Sequence, residues 1–268
     1  NDYVTVALVG RSKLSHHPWP LGGGGASELK ELLEERASGR LGDVVEDIGF
    51  ASFTGLDDAF ILPSSAARTL GLEDTVMRPM VVGEHIRDWA VDTDEVAITP
   101  YSQQTHGGIS LDPRANWARF LWRYRTVANN VSSFGGKTRE QEGQSWWHWY
   151  RWQQERYQAS FRVTFAFVAT HNHFVLDRGG KVFNRSAPII KLPESATEDD
   201  HYALLAYLNG STACFYLRQV LHSKGAQGVN EGHKAEEWEQ FLEFSGTQVA
   251  GVPLPKGWQT LAPFGREL

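Results

Sequence analysis

The sequence predicts a mixed α+β fold, and three observations carry that reading. Apolar residues recur at three- and four-residue spacing over Trp117–Ala128 and again between Tyr202 and Val220, as buried helix faces do. Elsewhere, short β-prone apolar runs are bounded by glycine, proline and asparagine, the pattern of strands and turns. Charge then divides the chain. Residues 1–113 hold 8 Lys/Arg against 18 Asp/Glu, residues 114–191 hold 13 against 4, and residues 192–268 hold 5 against 10. The expected architecture is therefore one of mixed sheet lobes: an acidic α/β lobe over 1–112, a basic aromatic-rich helix plus β-hairpin over 113–192, and a helical part with a closing strand over 193–268.

Taken in order, "DYVTVALVGRS" alternates and reads as a strand, and "PWPLGGGG" reads as a loop. "SELKELLEERA" (27–37) is a helix, with Ser27 as its cap and acids in its first turn. "VVEDIGFASFTG", "AFILP" and "PMVVG" are strands separated by turns. Thr54, Gly55 and Asp57 form a turn in which Gly55 supplies a positive backbone angle. In "SLDPRANWARFLWRYRTVANN" Asp112 caps a helix and Pro113 takes its first position. Trp117, Phe120, Leu121, Tyr124 and Ala128 mark its buried face, and Arg119 and Arg123 lie one turn apart on the other side. "SSFGGKTREQEGQ" is a polar loop before "SWWHWYRWQQERY". "RVTFAFVATHNHFVL" is a long strand, "DRGGK" a turn and "VFNRSAPIIKLP" the returning strand of a hairpin. Two helices follow, broken at Asn209-Gly210 and restarted at Ser211, and the chain closes on a strand with a proline-fixed exit at "VPLP".

Composition excludes several classes. At 268 residues, 41% hydrophobic and 22% charged, the chain suits a globular protein with a sizeable core. One cysteine, Cys214, rules out an internal disulfide and a cysteine-built zinc site, and its apolar helix predicts a buried structural thiol. No apolar run reaches the length of a membrane span, and no signal peptide is visible. The first residue is Asn1, so the chain reads as an excised part of a longer intracellular, cytoplasmic protein. The net charge of −6 argues against polyanions, but a basic centre between acidic flanks is what a localised polyanion site looks like.

The letters His171-Asn172-His173 invite comparison with metal-dependent HNH nucleases, which these adjacent residues do not support. That motif's residues are separated by tens of positions around one ion. On a strand His171 and His173 share a face, but no neighbouring carboxylate completes a metal site; Asp177 sits at the turn. Local chemistry leaves two readings. A hairpin bearing Asn172, His173, Arg178, Lys181, Asn184 and Arg185 presents donors for base edges and phosphates, or these are polar residues on a sheet surface. His16-His17 reads as plain surface. Trp117, Trp122, Trp146, Trp147, Trp149 and Trp152 read chiefly as core, with room for one that lines a nucleic-acid cleft.

Read together, "DIGFASFTGLDDAFIL" (47–62), "VVGEHIRDW" (81–89), "WWHWYRW", "VFNRSAPIIKLP", "LLAYLNGSTACFYLR" and "VPLP" resemble, in order, the target-recognition part of adenine-specific DNA methyltransferases. The resemblance is strongest to the large enzymes of phage-growth-limitation and type 2 BREX defence systems, laid out like type IIG restriction–modification proteins. It implies sequence-specific recognition of double-stranded DNA for an N6-adenine methyltransferase that uses S-adenosylmethionine. It also implies as partners the methyltransferase domain of the same polypeptide, other defence proteins and phage DNA mimics. This chain departs from the enzyme pattern: "NPPY" and the glycine-rich methyl-donor loop are absent, and Gly22–Gly25 does not substitute. The chain is thus expected to hold no cofactor and to lack catalysis itself. For a DNA-recognition domain, Lys137, Arg139, Arg151, Arg156 and Arg162 are expected on phosphates, and Arg119 and Arg123 are expected on the DNA as well. Asn172, His173, Arg178, Lys181, Asn184 and Arg185, with Gln144 and His148 behind them, are expected at base edges. Each good bidentate pair there discriminates by about 1–3 kcal/mol. Two other classes stay open: a protein–protein docking module, and a nuclease built on His171 and His173.

Overall fold

In a computed structural model, the structure describes residues 10–11, 15, 25–132, 136–224 and 241–267. The mixed α+β class is what it shows, with short helices interleaved among small sheets. The opening strand, His16-His17 and the loop at 18–24 lie outside the described residues. The chain forms two compact units, and each is discontinuous in sequence. One comprises 1–48, 168–173 and 192–268; the other comprises 49–167 and 174–191.

The first unit is built on helices. Glu198–Leu208 starts at a capping box in which Thr197 accepts from the Asp200 amide and Asp200 accepts from the Thr197 amide. Three acids in its first turn suit the positive end of the helix dipole. Ser211–Val220 restarts after Asn209-Gly210, with Gly210 rather than Ser211 in the cap position. Ala203, Leu204, Leu208, Ala213 and Leu217 face the core. The terminal helix Ala262–Glu267 lies so close on Glu198–Leu208 that a Cβ at Gly265 would sit 2.0 Å from the Tyr202 carbonyl oxygen. The predicted closing strand is interrupted: Leu242–Glu243 and Pro253–Pro255 flank the helix Gly246–Ala250. Pro253–Pro255 pairs with Ala37–Arg40, which follows the helix Ala26–Arg36. That helix is capped by Gly25 at φ 85°, and Ser27 lies inside its first turn.

The second unit carries most of the strands. Ile61–Pro63, Glu95–Ile98, Met77–Val81 and Val182–Phe183 form one sheet, whose last pairing is parallel. Phe174–Asp177, Arg162–Phe165 and Ile189–Lys191 run antiparallel in a second. The predicted hairpin is therefore absent. Phe174–Asp177 pairs with Arg162–Phe165, whereas Val182–Phe183 pairs with Met77–Val81. Both strands are largely buried, so each is consumed by a different sheet and the "DRGGK" turn only carries the chain between them. The long predicted strand is also broken into Arg162–Phe165, Val168–Ala169 and Phe174–Asp177, with His171–His173 in none of them.

The central helix begins later than expected. Asp112 accepts from the Arg114 amide in a turn, and the helix runs Asn116–Trp122. Its free N-terminal amides at Asn116 and Trp117 are capped by the distant Glu73 carboxylate, at 2.6 and 3.0 Å. A second short helix, Arg125–Asn129, follows. Trp117, Leu121 and Ala128 are buried as the periodicity predicts, and Trp122 is 55% exposed.

Candidate nucleic-acid interface

Three motif segments that are far apart in sequence converge within the second unit. Ser52–Phe53 pairs with Arg151–Trp152, and the ladder continues through Tyr150 N–H to the Thr54 carbonyl and Gln153 N–H to the Ala51 carbonyl. Thr54 Oγ donates to Asp57 and accepts from the Leu56 amide, closing the expected turn, with Gly55 at φ 74°. A Cβ at Gly55 would also meet Tyr150 Cβ at 2.7 Å. Asn184 donates to the other Asp57 oxygen at 3.1 Å, and Gly83 N–H donates to Ser186 Oγ at 3.0 Å.

A column of rings stands behind this junction. His148 stacks on Tyr101 at 5.3 Å, Tyr101 on Trp152 at 4.0 Å, and Trp152 on Tyr157 at 4.1 Å. Burial pushes the Tyr157 phenol up to about 12, so it stays protonated and is shared among Ser52 Oγ and the Phe183 amide. On the open side lies a cleft of about 470 Å³. Its lining includes Gln144, His148, Tyr150, Arg151, Trp152 and Gln153. Burial lowers the His148 pKa, the hydrogen-bond distance to the Ile109 carbonyl (3.1 Å) opposes the shift, and Arg139 reinforces it.

The fifteen residues expected on DNA divide by burial. Arg139 is 1% exposed and donates to the carbonyls of Thr54, Trp146 and His148. It is a strut that ties the Thr-Gly turn to the tryptophan segment, and no phosphate can reach it as placed. Arg162 is buried, 3.3 Å from Asp177, and donates to the Ala159 carbonyl. Asn184 is buried on Asp57. Asn172 and His173 belong to the other unit; both are buried, and Asn172 donates to the Leu208 carbonyl at 2.6 Å. Arg156 is half-buried and donates to the Phe50 carbonyl. Buried polar groups are satisfied mainly within the protein, and these acceptors take one or more nitrogens of each arginine and asparagine, with Arg139 Nε left unbonded. They are not surface donors.

Exposed in the second unit are Arg119, Arg123, Lys137, Arg151, Arg178 and Arg185. Lys181 is half-buried, with Nζ 3.2 Å from Asp177 Oδ1, and Gln144 reaches Glu142 at 3.1 Å. Two of the exposed arginines are brought together. The Arg185 guanidinium lies 5.6 Å from the Phe53 ring and that of Arg151 lies 5.1 Å from the Tyr150 ring; the two rings meet edge to face at 5.5 Å. Aromatic support restrains both cations without neutralising them. Arg151 also lines the cleft, so a cationic rim joins a polar concavity. The same charge logic separates the units. The second holds 16 Lys/Arg against 14 Asp/Glu and the first 10 against 18. Phe53 and Tyr150, which seat the two arginines, carry no such signal in the sequence; only their strand pairing reveals it.

The chain is 36% identical over 264 residues, 97% of its length, to the adenine-specific methyltransferase PglX of Streptomyces coelicolor, and spans 22% of that protein. This bears out the resemblance drawn from the ordered motifs. No family model matches. In fold the chain is similar to the crystal structure of the type IIG restriction endonuclease BpuSI, with a TM-score of 0.52 and 10% identity, over 91% of this chain and 28% of that one. Among the described residues no helix is long and apolar enough to cross a membrane.

Proposed function

We propose that this chain is the duplex-DNA target-recognition part of an adenine-specific methyltransferase that acts in phage defence. Arg151, which lines the polar cleft on the Tyr150 ring, and Arg185, seated on the adjoining Phe53 ring, carry the reading. Guanidinium groups in that setting grip phosphates by charge, and the polar cleft beside them offers Gln144 and Gln153 to base edges. Methyl transfer to an adenine amino group needs a flipped base beside S-adenosylmethionine, and the residues for that chemistry lie in another part of the full-length protein. Type 2 BREX and phage-growth-limitation systems are the setting that the ordered motifs suggest. Its partners are then double-stranded DNA and the methyltransferase domain, with other defence proteins and phage DNA mimics as further candidates.

The test is a titration of the full-length protein with duplex DNA at about 50 and about 200 mM salt, beside an Arg151→Ala/Arg185→Ala variant. Each lost phosphate contact lowers the slope of log affinity against log salt by about 0.9, so the variant should lose nearly 2. Unchanged affinity and slope in the variant would remove the DNA from this rim. Tight binding to a defence protein that ignores salt and needs these residues would favour the docking module instead.

A further inference from the structure

The cleft is not the only unusual surface of the second unit. Between Asp112 and Glu140 the chain has no acidic residue, and it carries Arg114, Arg119, Arg123, Arg125, Lys137 and Arg139. Arg139 alone of these is buried. At the centre of this stretch Trp122 is 55% exposed. Its ring is held edge to face on the buried Trp146 at 5.8 Å, and the Arg125 guanidinium lies 5.0 Å from its centre. Arg119, one helical turn before it, and Arg123 are exposed as well, and Arg123 leans on the Phe120 ring at 4.5 Å.

A tryptophan could bury its ring in the core, as Trp117 and Trp149 do here, so one anchored at its edge with much of its surface in water is set up to meet something flat. Guanidinium groups close to it, in a stretch of sequence without acids, favour a polyanion over a protein surface of ordinary charge. A nucleobase offers the flat face and its phosphates the charge. An intact duplex hides its base faces within the stack, so only an unpaired, mispaired or abasic position exposes one.

We propose that Trp122 is a stacking platform for a base that has left the duplex stack, with Arg119, Arg123 and Arg125 holding the adjacent phosphates. This rests on the reading of the chain as a DNA-recognition part and adds a second contact that recognises distortion and not sequence.

The test compares the full-length protein and its Trp122→Ala and Trp122→Phe variants on three probes: an intact duplex, the same duplex with one abasic site, and its single strand. Trp122→Ala should weaken binding to the abasic duplex and the single strand by about tenfold or more and leave intact duplex within about twofold. Trp122→Phe should keep most of the affinity, because a smaller ring still stacks. An equal loss on all three probes, or no loss, would overturn the proposal while duplex binding by the unaltered protein would leave the reading above standing. Trp122-dependent binding to the single strand without any duplex binding would do the reverse. A protein that binds none of the probes would overturn both.

Discussion

Arg139 gives the sharpest test, because the sequence places it on DNA and the structure places it inside the protein. Arg139→Ala removes the donor from three carbonyls, those of Thr54, Trp146 and His148, in a region where Arg139 is 1% exposed. A buried acceptor left without its donor costs about 1–3 kcal/mol. Relief of the desolvated guanidinium, whose pKa burial lowers, offsets part of that loss. Since breaking a buried charged arrangement typically costs about 3–5 kcal/mol, the expected net loss is near the lower figure. The readout is hydrogen exchange of the Tyr150 and Gln153 amides, which close the ladder onto Thr54 and Ala51. At about 1.4 kcal/mol per tenfold, a loss of about 3 kcal/mol speeds exchange through that opening roughly 100-fold. Arg151→Ala, on the exposed rim, should leave the same amides within about threefold, since surface changes stay within about 0.5 kcal/mol. Unchanged exchange in Arg139→Ala, together with a salt slope lower by about 0.9, would make Arg139 a phosphate ligand and refute the strut.

Other outcomes follow from the same geometry. Gly83→Ala would drive a Cβ to 2.5 Å from the Ser186 carbonyl oxygen, a backbone atom, so the segment 182–187 should lose about 1–3 kcal/mol of protection against exchange. His106 and His148 both have pKa values lowered chiefly by burial from the usual 6.5. The unfolded chain then binds protons that the folded one refuses, so their contribution to stability is complete above about pH 6.5 and declines as pH falls below it. Protection of the 144–153 segment, corrected for intrinsic exchange, should therefore drop between about pH 7 and about pH 5.5, and His148→Gln should flatten the drop. A segment whose protection is level over that range would count against a neutral, half-buried His148.

Much of the local structure was legible without coordinates. The helices Glu198–Leu208 and Ser211–Val220, the buried spacing of Trp117, Leu121 and Ala128, and the turn at Gly55 all follow from periodicity or backbone chemistry within a few residues. The ordered motifs also sufficed for the resemblance. Pairing and burial were not legible, because their determinants are far away in the chain. Val182–Phe183 takes Met77–Val81 as its partner in place of the neighbouring Phe174–Asp177, and nothing in "DRGGK" distinguishes the two choices. Asn172, Arg139 and Asn184 read as surface donors until Leu208, Thr54 and Asp57 supply their acceptors. Arg151 and Arg185 have the same composition signal as Arg139 and Arg162, yet the first pair faces solvent and the second is enclosed. The sequence by itself determined which segments form helices and turns and that basic residues gather in the middle of the chain. The tertiary structure decided which cations remain at the surface, since a side chain's exposure depends on what distant strands pack over it.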